Sequence, residues 1–174
     1  MLPNPLHPAL VHFPIVFAVL LPLVAGAALF AIRRGVQPRK AWLAVVMFGV
    51  ALWVSALVTA KVGEADEERV EEVVAETALE RHEEAGERFV LLSGIAVVLL
   101  MTGFLGGRAG KVARLIGTGA ATALLLAVYS VGHSGGELVY SYGAGRAWTD
   151  TSEVVARDTP SAVAERRHED QDEH

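Results

Sequence analysis

The chain has 174 residues, with 15 basic and 20 acidic side chains, a net charge of −5, and 52% hydrophobic residues. A soluble domain with one charged residue in five does not ordinarily reach a positive mean hydropathy, so the charges must be segregated from long apolar windows. Cysteine is absent, which excludes disulfides, covalent c-type haem attachment, thiolate zinc sites and iron–sulfur clusters and leaves histidine and carboxylate as the strong ligands.

The chain opens with "NPLHPALVHFP", which places His7 and His12 among three prolines directly ahead of an apolar run. Residues 11–32 carry no Lys, Arg, Asp or Glu and are long enough to cross a bilayer, which takes about 20 residues as a helix. No Lys or Arg precedes this window and no clear small-residue cleavage site follows it, so it reads as a retained membrane helix and not as a signal peptide. Pro14 is tolerated in a first turn, whereas Pro22 is expected to kink the helix or open its hydrogen-bond ladder.

A short turn, "RRGVQPRK", leads to a second window at residues 41–60, with Trp42 where an interfacial anchor would stand. The next segment is rich in Glu and free of Pro, and it predicts an amphipathic helical extension over about 64–88 running into the third span. Its small and apolar stripe includes Val70, Val74, Ala78, His82, Ala85 and Phe89, while the glutamates occupy the other faces.

The third window, residues 89–107, ends in "GFLGGRAG", where Gly103 and Gly107 offer either close helix packing or a flexible turn. The fourth, residues 115–132, leads into "GHSGGELVYSYG". From about residue 146 the composition turns polar, and this tail, with His168 and His174, is expected to be largely disordered. The four windows are apolar on all faces, so the fold class is all-α: an integral membrane four-helix bundle over residues 1–145.

Charge gives the orientation. The loops after spans one and three hold Arg33, Arg34, Arg39, Lys40, Arg108, Lys111 and Arg114 with no acid, while all 20 acids lie on the other side. Basic short loops mark the cytoplasm, so both termini are expected outside a bacterial inner membrane. The acidic outer face argues against nucleic acid as a partner.

His7, His12, His82 and His133 all fall on that outer face. An ionisable side chain near membrane depth is a functional-site hypothesis by default, and glycines such as Gly135 and Gly136 permit close approach of something bulky. Imidazole suits zinc, copper and haem iron. Zinc would want a compact set completed by a carboxylate such as Glu83 or Glu137. Haem would want two histidines on facing helices, small residues to admit the macrocycle and a cation such as Lys61, Arg81 or Arg88 near the rim. Ser134 beside His133 lacks the geometry of an activated hydroxyl, no catalytic constellation stands out, and the glycine cluster lacks the Gly-Lys-Ser/Thr ending of a phosphate loop.

The motifs "HPALVHFP", "RHEEAG" and "GHSGGELVY" resemble the bacterial membrane family known as domain of unknown function 2231, over roughly residues 5–145. The resemblance implies a four-helix membrane domain with these histidines as its polar signature. Relatives joined to c-type cytochrome modules imply a redox role and favour haem over zinc. Tyr142 departs from the family pattern, where histidine is frequent, and is placed at the rim of the site as a hydrogen-bonding group.

These readings converge on a b-type-cytochrome-like electron-transfer protein holding haem b through His12, His82 and His133, with His7 as a fourth ligand or an orienting partner. Its electron partner would be a quinone or a periplasmic redox carrier, with a homo-oligomer or larger membrane complex possible. The alternatives are a zinc- or copper-binding membrane scaffold and a cofactor-free interaction subunit.

Overall fold

The computed structural model describes residues 6–148, and the tail expected to be disordered lies outside them. Within them the chain is all helical: α1 (His7–Leu10), α2 (His12–Arg33), α3 (Pro38–Glu71), α4 (Glu76–Met101) and α5 (Gly107–Tyr140), with short 3₁₀ turns at Thr102–Phe104 and Ala144–Trp148. Among the described residues, four helical segments are long and apolar enough to cross a membrane, α1 and α2 together making the first. Each packs on its neighbour in sequence, and α5 closes the ring against α2.

The packing is inside out relative to a soluble bundle. The core is built from small and medium residues such as Ala18, Leu21, Ala25, Leu52, Ala96 and Ala121. Leu23, Phe30, Met47, Leu91, Val98 and Leu126 point outward and are exposed. An apolar exterior of this extent is stable only against lipid tails.

Local chemistry sets the turns. After α2 the chain reverses at Gly35, whose φ of 97° suits a residue without Cβ. Gly35 N–H reaches Ile32 O, and Val36 N–H reaches Ala31 O, the paired bonds of a Schellman stop. Pro38 then opens α3 at a position where its missing N–H costs nothing. Pro22 lies inside α2 without ending it.

The acid-rich extension is helical as expected, but not as one rod. α3 continues from the second span to Glu71, the chain breaks over 72–75, and α4 starts at Glu76 and runs into the third span. Like charges at helical spacing, such as Glu67 with Glu71 and Glu72 with Glu76, disfavour an unbroken helix. The hairpin is held by its apolar stripe: Val74, Ala78 and Leu79 form a small cluster with Leu138 of α5. α3 and α5 each have 34 residues, roughly 51 Å of helix, so both overhang a hydrocarbon layer of about 30 Å.

Trp42 is not an interfacial anchor. It is fully buried, and its indole N–H donates to Leu100 O at 2.8 Å, one of the carbonyls left over at the end of α4. Arg114 closes the same end, donating to Gly103 O at 2.6 Å from a side chain only 5% exposed. Of the two glycines in "GFLGGRAG", Gly103 provides the close approach, since a Cβ there would run into the Trp42 indole, and Gly107 provides the turn at φ 60°.

Gly103→Val is therefore expected to destabilise the bundle by about 1–3 kcal/mol through overpacking against Trp42. Gly119→Ala, in open space on α5, is expected to be neutral or to stabilise by up to about 1 kcal/mol. Thermal unfolding in detergent checks both.

Candidate functional site

Pro14 has no N–H, so the fourth carbonyl before it, that of Leu10, has no helical donor. Thr59 of α3 fills the gap, its hydroxyl donating to Leu10 O at 3.4 Å. The carbonyl of the same Thr59 accepts a hydrogen bond from His7 Nδ1 at 3.1 Å. One residue of α3 thus clamps the start of the first span twice, and "HPALVHFP" is the sequence that requires it.

The His7 ring lies flat enough against α3 that a Cβ on Gly63 would stand 3.0 Å from its Cε1 and Nδ1. His82 of α4 is seated in the same way on α5. A Cβ on Gly135 would stand 3.0 Å from its Cε1, and its Nδ1 meets the Ser134 hydroxyl at 2.9 Å. Each imidazole therefore rests on a helix glycine and is tied through Nδ1 to a neighbouring acceptor.

The two rings come together, with centroids 6.2 Å apart and planes at 89°. His82 also reaches the Val131 carbonyl, and the two rings meet edge to face.

Both rings line a cavity of about 540 Å³ at the end of the bundle that carries the turn between α3 and α4. Its walls are apolar or small: Val11, Ile15, Ala56, Phe89, Val128 and Val131, together with Gly86, Gly132, Gly135 and Gly136. Roughly 32 Å of helix separates Pro38 from Thr59, about the thickness of a hydrocarbon layer.

The remaining expected site residues are placed differently. His12 also lines the cavity but is exposed, with Nδ1 turned back to Ala9 O at 3.3 Å. His133 does not line it. Its side chain is 63% exposed on the outer side of α5, stacked on Tyr129 at 5.9 Å between centroids and 3.7 Å from Glu137. Arg81 pairs with Glu137 at 3.8 Å and Arg88 with Glu84 at 2.8 Å, and neither lines the cavity. Lys61 is paired with Glu64 at 2.7 Å. Tyr142 is exposed beyond the end of α5, whereas Tyr140 stands at the cavity. Among the described residues, no group of three or more His, Asp or Glu side chains is placed to hold a metal ion.

Thr59, Gly63 and Ser134 were not singled out by sequence as site residues. Gly63 left a signal, since glycine inside a helix costs about 1 kcal/mol relative to alanine and marks a close approach. The comparisons with known proteins agree with the fold and stop there. No curated protein and no solved structure matches the chain, whereas the family model described as "Predicted membrane protein (DUF2231)" matches residues 3–147. With four membrane-length helices and a match over most of its length, the chain belongs to that membrane family, domain of unknown function 2231.

Proposed function

We propose that this membrane protein holds haem b in the cavity, where His7 and His82 would be its ligands, and serves in electron transfer. The observation that supports this most is the pair of imidazoles, with centroids 6.2 Å apart, that line one apolar cavity. Haem suits the residues better than zinc or copper, because the porphyrin supplies four donors and asks the protein for two. A zinc centre needs a third protein ligand even where water completes the set, and no such cluster is present among the described residues.

Bound haem would supply a one-electron couple. The chain's own residues do the rest. Thr59 and Ser134 fix the two rings, Gly63 and Gly135 give them room, and Phe89, Val90 and Val128 exclude water, which tunes a potential. His12 also lines the cavity.

One observation favours a second reading. The described lining has no Lys or Arg, and the nearby Arg81 and Arg88 are tied to glutamates, which suits a neutral ring such as a quinone better than a group bearing two carboxylates. A quinol hydroxyl would then donate to one Nε2. Alternatively, quinone or a periplasmic redox carrier is the electron partner of a haem-loaded site.

The spectrum of protein purified after haem-rich expression separates the readings. A Soret band is expected, abolished by His7→Ala or His82→Ala and unchanged by His133→Ala. A colourless wild-type protein that retains a bound quinone would overturn the first reading in favour of the second.

We also infer that both termini and the acid-rich hairpin face outside a bacterial inner membrane, from the seven basic residues in and beside the two turns at the other end of the bundle. The chain has no cysteine, so single substitutions are clean probes. With a membrane-impermeant maleimide on spheroplasts, Glu72→Cys is expected to label directly and Gln37→Cys only after lysis.

A further inference from the structure

We propose that Ser134 is a positioning residue that holds the proton of His82 on Nδ1, so that the cavity meets two imidazoles of the same tautomer, each with a bare Nε2. The inference rests on the reading that Nε2 is the atom presented to the occupant.

The hydrogen bonds decide the tautomers. A main-chain carbonyl only accepts, so the contact between His7 Nδ1 and Thr59 O requires the proton on Nδ1. For His82 the nearer partner is a hydroxyl, which can donate or accept, and the Val131 carbonyl, which only accepts, is in reach of both the hydroxyl and the ring. Ser134 Oγ donates to Val131 O at 3.1 Å, within its own helix, and this uses its single proton. Towards His82, 2.9 Å away, Ser134 can then only accept, and His82 Nδ1 carries the proton. Two unrelated acceptors, one main-chain on α3 and one side-chain on α5, impose the same state on both rings.

This state is not the resting preference of the side chain. A free neutral imidazole in water favours the proton on Nε2, the arrangement that would turn an N–H, and no lone pair, to the cavity. The protein reverses that preference at both positions. A neutral ring with its lone pair already on Nε2 coordinates a metal or accepts from a hydroxyl without first losing a proton. Ser134 is buried, at 7% exposure, so water does not compete for the bond.

Side-chain nitrogen NMR of haem-free protein, labelled with ¹⁵N-histidine and held in detergent at alkaline pH, reads the tautomers directly. His7 and His82 are expected to give the Nδ1–H pattern. Ser134→Ala is expected to move His82 to a predominantly Nε2–H pattern, and Ser134→Thr to restore the native one. Thr59→Val is expected to leave His7 unchanged, because its acceptor is main-chain. An Nε2–H pattern for His82 in the native protein, or no change in Ser134→Ala, would overturn the inference. Haem titration adds a second readout, with Ser134→Ala losing about tenfold or more in affinity and Ser134→Thr staying near native. A native protein that binds no haem would sink the haem reading while leaving the NMR result to decide on Ser134.

Discussion

In a bilayer, a main-chain carbonyl without a donor has no water to turn to, and this constraint organises the molecule. Leu10 O is freed by Pro14 and taken by Thr59, Leu100 O is freed at the end of α4 and taken by Trp42, and Gly103 O is taken by Arg114. Each of these donors lies on another element than its acceptor, so satisfying a helix end also fixes the register between helices. At the cavity, the same contacts that complete the backbone also orient the imidazoles. His7 is held by the residue that repairs the proline gap, and His82 by a serine already bonded within its helix.

The cavity follows from small residues as much as from histidines. Gly86, Gly132, Gly135 and Gly136 leave side chains out of the lining on α4 and α5, and Ala56 and Ala60 keep it small on α3. The space left is walled mostly by apolar groups, with the imidazoles of His7, His12 and His82 as its nitrogen groups.

Much of the fold is legible in the sequence because membrane helices declare themselves by uninterrupted apolar runs, and no competing soluble architecture fits windows without a charged residue. Legibility ends where contacts join distant helices. The overhang of α5 to Tyr140 passes through three glycines that read as a helix end, and it is the packing of Leu138 on the α3–α4 hairpin and of His82 on Gly135 that gives the continued helix its partners. His133 and His82 are equivalent as letters in a membrane-end context, yet one faces out beside Tyr129 and the other inward onto Ser134, a difference set by helix rotation. Trp42 resembles an interfacial anchor until the bare Cα of Gly103 is seen to admit it to the core.

The glycine seats have a consequence for how such a chain can change over time. His7 with Gly63, and His82 with Gly135, are each a ring and the absence of a side chain occupying one volume. Gaining a methyl at either glycine pushes the ring away, and losing the ring leaves a dent that any small residue can fill. The two members of a pair are thus under unequal restraint: while the imidazole stays the glycine is locked, and once the imidazole is gone the glycine is free to drift.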